Sequence, residues 1–587
     1  MTQTAETLPS FLKAYCSTQD MSRYTARDHA AWRCIMRRSL PFFRKHAVTG
    51  YEEGLKKTAL PIDRIPNIRD MDEALQKIGW GAVPVRGFIP PWAFLEFQAR
   101  CILPIATDMR NVNHITYTPA PDIVHEAAGH APILPDKDYS AYLARYAQLC
   151  TKAIFSRQDA RLYEAVRVLS DIKEKPESTP AEIAEAEATL EQRMSEMTFV
   201  SEAARVGRMS WWTAEYGLAG KLDDPKIFGA GLLSSVGESK NCLGTSVKKI
   251  PLSIECTEVA FNITKPQPQL FVARSMQHLV DVLDELDSSL SYKIGGKYAL
   301  EKGRKADETT TAVLDSGIAT SGVLTDYLTD KENIIFLKWS GTVQLSFDRA
   351  QLPGQGVDRH PQGFSSPIGR WEQVADKDPS ILSDSELKKL GMEIGKQTSL
   401  KFTSGFTVSG RITHIERKGN KVIYITWENC TVRRGDQLYF DPSWGPFDML
   451  VGTTVSSVYG GPADRNFWPM YTDEEVKTNP ARQSPYSADE ITLFKIYEQL
   501  RSIREKSTHS AADEKALQSH AETLLKKYPN EWLSLVEAYE IAIQVLHLSK
   551  EKHPWLQSLA TRLNANAIVE DNDVRDLLRQ TLSQIES

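Results

Sequence analysis

The stretch YTPAPDIVHEAAGHAPIL, residues 117–134, decides how the first half of the chain is read. It sets His125 and His130 five residues apart, with Glu126 directly after the first. A metalloprotease helix spaces its two histidines four apart, so both imidazoles share one face. Five steps of about 100° carry the second ring about 140° around an ideal α-helix. An unbroken α-helix cannot aim both rings at one ion, so the backbone has to start, bend or end between them. Pro121 suits a first helical turn and Gly129 suits an end. The pattern predicts a short helix with one histidine near each end.

Two histidines alone are a weak signal, because buried, hydrogen-bonded histidines are common. The nearest further candidates, Cys101, His114 and Cys150, stand at no recognised zinc spacing. A 2-His-1-carboxylate triad needs one acidic residue and leaves positions open for dioxygen and a co-substrate. WWTAEYGL, residues 211–218, offers Glu215 amid aromatics, where a carboxylate is costly unless paired or metal-bound. Glu215 is therefore the best internal third ligand. Two rival readings belong to other classes. One is a zinc hydrolase with Glu126 as general base, against which the histidine spacing and aromatic surroundings count. The other is an interaction protein whose front half is a degenerate scaffold.

Bulk properties set the frame. A chain of 587 residues exceeds one ordinary core and predicts two to four domains. Hydrophobic residues are 41% and charged residues 25%, a soluble globular profile. A net charge of −6 and pI of about 6.1 give no global basic field for nucleic acid or a membrane surface. Seven scattered cysteines without a C-x-x-C pair fit reduced thiols in a cytoplasm. Neither a signal pattern nor a long apolar run is present.

The pattern along the chain predicts an α+β protein: a mainly helical catalytic domain with short strands over residues 1–300, a β-rich module over 310–460 and a small helical region over 485–587. Pro41 is expected to interrupt the segment YTARDHAAWRCIMRRSLPFFRKH. DMDEALQKIGW, residues 70–80, reads as a helix stopped near Gly79. Residues 140–169 carry helical periodicity. Within 155–200, Thr179, Pro180 and Glu182 form a capping-box start, and the Ala- and Glu-rich run that follows reads as an inserted surface hairpin. ENIIFLKWSGTVQLSF, residues 332–347, reads as two strands around Ser340-Gly341. In residues 400–432, Gly405, Gly410 and Lys418-Gly419-Asn420 read as turns. The helical tail is expected to be a bundle or an adaptor, a candidate surface for a homo-oligomer or protein partner.

These residues carry a resemblance. YTPAPDIVHEAAGH resembles the iron-binding signature of the tetrahydropterin-dependent aromatic amino acid hydroxylases, and WWTAEYGL with FGAGLLSSVGE (residues 228–238) resembles the same family's second block. The similarity runs from about residue 24 to 270 and is broken by the insertion; nothing comparable covers 300–587. The resemblance implies that His125, His130 and Glu215 hold Fe(II) and that Glu126 lies beside a tetrahydropterin such as tetrahydrobiopterin. It implies that Phe94 stacks on the pterin, with Gly87 and Ile89 offering main-chain contacts. Arg110 would bind the amino acid carboxylate, with Asp122 as its buried partner, an exchange suited to a planar guanidinium. Thr118, Gly231 and Ser234 would line the amino acid end, and Pro121 and Trp211 the aromatic ring.

Departures from the family pattern carry expectations of their own. Ala127 and Ala128 replace leucines and should loosen the packing behind the metal. Ser210 replaces a tyrosine near the metal, and Pro91 replaces a serine near the pterin. No regulatory domain is expected before residue 24. The implied activity is L-phenylalanine 4-hydroxylation with dioxygen. Trp211 favours phenylalanine or tyrosine over tryptophan as substrate. Ile263 stands where a tyrosine hydroxylase has an aspartate, yet it is also found in tryptophan hydroxylases. Tryptophan or tyrosine hydroxylation is the alternative within the family.

Overall fold

The structure, a computed structural model, describes residues 2–87, 89–112, 115–116, 122–174, 178–262, 266–469, 486–569 and 572–586. It is a mixed α+β protein. The first long helix, Ala26–His46, opens on a capping box in which Thr25 and Asp28 bond each other's backbone. Pro41 does not interrupt it. The residue is exposed, so the backbone bond that proline forgoes is missing on the solvent side of the helix. Helix Ile68–Gln76 stops before Gly79, which adopts φ +82°.

A parallel pair, Gly81–Val85 and Ile102–Ala106, is linked by helix Pro91–Gln98. Four short strands in the order Pro225–Ile227, Leu218–Gly220, Gln269–Ala273, Lys248–Pro251 form a second small sheet. Both sheets hold loops and helix starts against one large core. The periodicity over 140–169 resolves into two helices, Lys137–Cys150 and Arg157–Glu174. Asp159 bonds the Ser156 amide and hydroxyl at 2.7 and 2.6 Å, starting the second helix afresh. Helix Pro180–Ser195 pairs with it, capped by Thr179 and Glu182 as the sequence pattern requires.

The β-rich part holds a six-stranded and a five-stranded sheet, each with its own buried cluster. Ser340-Gly341 is not a hairpin turn. Residues Asn333–Phe347 form one strand, and Gly341, at φ +67°, sits at a register shift against strand Ile318–Asp330. The reversal comes earlier, at Lys331 with φ 55°. Gly410 likewise lies inside strand Phe406–Lys418, where a Cβ would stand 2.9 Å from the Glu428 carbonyl oxygen. Both glycines mark bulges. Gly405 and Gly419 do sit in turns, at φ +86° and +61°.

The C-terminal helices Ala488–Arg504, Ala511–Lys527, Trp532–Glu540, Pro554–Val569 and Asn572–Glu586 fold back onto helix Ala26–His46 and share its hydrophobic core. The seam is ionic and dry. Arg33 grips Glu537 through Nε at 3.0 Å and Nη2 at 2.5 Å, and Arg38 pairs with Glu540. Arg504 reaches both acids, at 3.3 and 3.0 Å. Burial opposes the Glu537 charge, but the guanidiniums of Arg504 and Arg33 overcome it and pull the carboxyl down to about 2. The stability this gives is complete above the ordinary carboxylate range and is lost as pH falls through about 4 toward 2.

Removing one member of a buried ion network leaves the others uncompensated, at about 3–5 kcal/mol. Glu537→Ala should therefore lower the unfolding free energy by that amount in a denaturant titration. It should also expose the chain near residues 486–510 to limited proteolysis; unchanged stability would show the seam to be dispensable.

Candidate metal centre

The histidine motif is neither a bent nor an ended α-helix. Val124–His130 winds as a π-helix, with i to i+5 backbone bonding. That wider turn sets residues five apart one above the other, as four-apart residues sit in an α-helix. The spacing that excluded an α-helix is thus the spacing this winding requires. Gly129 lies inside the turn, not at its end. It is glycine because a Cβ there would stand 2.7 Å from the Ala230 carbonyl oxygen. Ala127 and Ala128 are fully buried, and the Tyr51 hydroxyl donates to the Ala128 carbonyl at 3.1 Å. Both alanines belong to the large hydrophobic core.

Glu215 comes from a second π-turn, Trp211–Glu215. Thr213 anchors that turn, donating to the Met209 carbonyl at 2.6 Å while accepting from Tyr142 at 2.6 Å. The segment carrying Gly231 and Ser234 packs on its backbone, since a Cβ on Gly229 would meet the Glu215 carbonyl oxygen at 2.5 Å. The carboxylate then straddles both imidazoles: Oε2 lies 3.2 Å from His125 Nε2 and Oε1 lies 3.3 Å from His130 Nε2. Ligand atoms about 2.1 Å from one ion and at right angles to each other are about 3 Å apart. One ligand atom from each of the three residues falls within a single 4.8 Å cluster.

The donor chemistry fits an ion. Neither nitrogen of His130 makes a hydrogen bond among the described residues, although the ring is buried. At His125, Nδ1 lies 3.2 Å from the Ser234 hydroxyl, which itself donates to the Ala230 carbonyl at 2.8 Å. Ser234 can then only accept, so Nδ1 carries the proton and the Nε2 lone pair faces Glu215. Burial works against the Glu215 charge, while positive charge on the facing His130 and His125 rings, which an ion between them would replace, holds its carboxyl far below the usual range. Glu126 is fully buried with Oε2 unpartnered among the described residues, and burial lifts its carboxyl to about 8.

Arg110 stands beside the triad. Its Nε and Nη2 bond Asp122 at 2.7 and 2.8 Å, and Nη1 donates to the Ser234 carbonyl at 3.0 Å. Asp122 also accepts from the His125 amide at 3.0 Å, tying this pair to the start of the metal helix. Burial opposes the Asp122 charge, and Arg110 with two backbone amides holds its carboxyl below the usual range. Trp211 stacks on Phe261 at 4.2 Å and on Tyr216 at 4.6 Å.

Phe94 is half-buried on helix Pro91–Gln98. Gly87, at φ +63°, donates its amide to Asp108 at 3.3 Å, and the Ile89 carbonyl accepts from Tyr163 at 2.9 Å. Thr118, Pro121 and Ile263 lie outside the described residues. The residue letters did not single out Asp108 or Tyr163, nor give Ser234 its role behind His125. Each acts through a partner distant in the chain, which leaves no local signal.

The sequence profile described as biopterin-dependent aromatic amino acid hydroxylase matches residues 6–155 and 194–301. Over these residues the chain is similar to the biopterin-dependent aromatic amino acid hydroxylases. The matched part begins earlier and ends later than the resemblance carried by the motifs alone. The break in the match falls on the helices Arg157–Glu174 and Pro180–Ser195. The chain is 26% identical over 266 residues to the phenylalanine-4-hydroxylase of Chromobacterium violaceum, covering 45% of this chain and 75% of that one. It is 28% identical over 258 residues to the phenylalanine-4-hydroxylase of Bos taurus, covering 43% and 47%. A solved structure of the Chromobacterium violaceum enzyme with bound iron(III) and 7,8-dihydrobiopterin shares 24% identity, with a TM-score of 0.37, over 46% of this chain and 85% of that one.

Losing a side chain that orients a metal-bound histidine typically costs 10–100-fold in metal affinity. Ser234→Ala should weaken Fe(II) binding in that range in an anaerobic titration; unchanged affinity would show the hydroxyl to be a bystander.

Proposed function

We propose that this protein hydroxylates L-phenylalanine to L-tyrosine, using dioxygen, Fe(II) and a tetrahydropterin. The observation that carries the reading is the convergence of His125, His130 and Glu215 beside the Arg110–Asp122 pair. Ferrous iron in a 2-His-1-carboxylate site with open positions, together with a reduced pterin, supplies oxygen activation and two electrons. The chain's own part is to bind, orient and exclude water.

Arg110 has five N–H donors, and Asp122 and the Ser234 carbonyl take three of them. The two left on the terminal nitrogens suit the substrate carboxylate, and Asp122 fixes the plane in which they point. Ser234 and Gly231 border that end, with Thr118 assigned there from the sequence. Trp211, held by its two stacking partners, and Pro121 would wall the aromatic ring. Phe94 would stack on the pterin, and Gly87 and Ile89 would meet its edge; the Ile89 carbonyl keeps a second lone pair beyond the one Tyr163 uses. The unpartnered Oε2 of buried Glu126 suits a nitrogen-bearing ring that can donate to it.

The named relatives support phenylalanine as substrate, and a place in phenylalanine breakdown follows from that choice. Seven cysteines, none in a disulfide, support a cytoplasmic setting. No helix among the described residues is long and apolar enough to cross a membrane.

Incubating purified protein with Fe(II), tetrahydrobiopterin and each of phenylalanine, tyrosine and tryptophan should convert phenylalanine to tyrosine with the highest kcat/KM. Product from tryptophan alone would move the substrate assignment, and no product from any of them would overturn the reading. Arg110→Lys keeps a charge opposite Asp122 but loses the planar fork. It should raise the amino acid KM by about tenfold or more, one decade per 1.4 kcal/mol of lost binding; an unchanged KM would remove Arg110 from the carboxylate clamp.

A further inference from the structure

Helix Pro91–Gln98 carries Phe94, and the loop before it carries Gly87 and Ile89. Two parts of the chain outside the matched family region grip this unit from behind. The first grip is Arg465, which follows the last strand of the β-rich part, Val455–Gly460. Its Nε lies 3.0 Å from Glu96 Oε1, with side chains only 14% and 10% exposed. The guanidinium also lies 5.7 Å from the centre of the Trp92 ring, and its Nη2 donates to the Thr151 carbonyl at 3.4 Å. The second grip is Tyr163, on helix Arg157–Glu174, whose hydroxyl donates to the Ile89 carbonyl at 2.9 Å.

Arg465 does not reach out from a free tail. The backbone just before it is fastened to the six-stranded sheet. The Gly461 amide donates to the Thr309 carbonyl at 2.9 Å, and the Ala463 amide to the Ser321 hydroxyl at 2.9 Å. Asp464 donates its amide to Gln344 at 3.1 Å and accepts the Gln351 amide at 2.9 Å. A Cβ on Gly461 would stand 2.9 Å from the Arg465 guanidinium, so the guanidinium fills the space a side chain would need there. Where the strand meets the matched region, a Cβ on Gly460 would stand 2.3 Å from the Ala153 carbonyl oxygen. The sheet thus presents one guanidinium to the Glu96 carboxylate, whose other oxygen pairs with Arg100. That carboxylate lies two residues after Phe94, on the same two-turn helix.

We infer that the β-rich part and the inserted hairpin act as an external brace for the pterin-binding helix, with Arg465 and Tyr163 as positioning residues that set pterin affinity. This rests on the assignment of Phe94, Gly87 and Ile89 to the pterin. Neither residue touches the reacting atoms. Arg465 fixes the tilt of the helix through Glu96 and Trp92, and Tyr163 fixes the orientation of the Ile89 peptide. An aromatic ring and a peptide edge placed loosely would still bind a pterin, but each would have to be ordered on binding, and that ordering lowers affinity.

The test uses the full-length, Fe(II)-loaded protein under anaerobic conditions and measures binding of tetrahydrobiopterin and of L-phenylalanine separately by calorimetry. Arg465→Met keeps the length and apolar bulk and removes the contact to Glu96. It should raise the pterin Kd by about tenfold while the phenylalanine Kd stays within about twofold, and Arg465→Lys should recover part of the loss. Tyr163→Phe removes one hydroxyl from a half-buried ring and serves should Arg465→Met not fold; the same selective rise, of about threefold or more, is expected. A folded Arg465→Met variant with an unchanged pterin Kd would overturn the brace. An equal loss for both ligands would overturn it too, since that is general loosening. If the unaltered protein itself binds no pterin, the cofactor assignment fails and not the brace alone.

Discussion

The structure depends first on a backbone winding that puts residues five apart on one face. In an α-helix His125 and His130 would diverge. In the π-turn their rings lie 5.1 Å apart, nearly perpendicular, and both Nε2 atoms border the Glu215 carboxylate. Such winding is disfavoured alone and persists only where surrounding contacts specify it. Here Asp122 holds the start through the His125 amide, Tyr51 holds the Ala128 carbonyl, and Ala230 closes on Gly129 with no room for a side chain. The second ligand segment uses the same device at Trp211–Glu215, locked through Thr213 and Tyr142. Two π-turns facing each other make one three-donor site.

From that constraint the rest of the site follows in layers. Ser234 fixes the tautomer of His125 and, through its carbonyl, also holds Arg110. One short segment therefore links the metal ligand to the group assigned to the substrate carboxylate. Glu126 sits between the histidines in sequence, buried, with one carboxyl oxygen unpartnered among the described residues.

Much of this was legible in the letters, and the limits have physical causes. The three residues could be brought together in sequence because a lone acid in an aromatic run is costly unless paired, and because both blocks resemble the signature of one family. The caps of helices Ala26–His46 and Pro180–Ser195 could be read because capping is local. The π-winding could not, since neither histidine nor alanine encodes it and the residues that pack against it, Tyr51 and Ala230, lie far along the chain. Pro41, Gly341 and Gly410 were misjudged for a related reason. Each breaks a local rule at a point where solvent or a partner strand absorbs the break. The docking of the C-terminal helices through Arg33, Glu537 and Glu540 left no trace in sequence, because charged residues usually mark a surface and here they form a buried seam.

The central claim is that His125, His130 and Glu215 bind one ferrous ion together. Anaerobic Fe(II) titration of the unaltered protein and of Glu215→Ala tests it most directly. One ion per chain should bind the first, and affinity should fall by about a hundredfold or more in the second while its circular dichroism spectrum stays unchanged. Equal affinity and stoichiometry in the two would contradict the shared site and the function built on it.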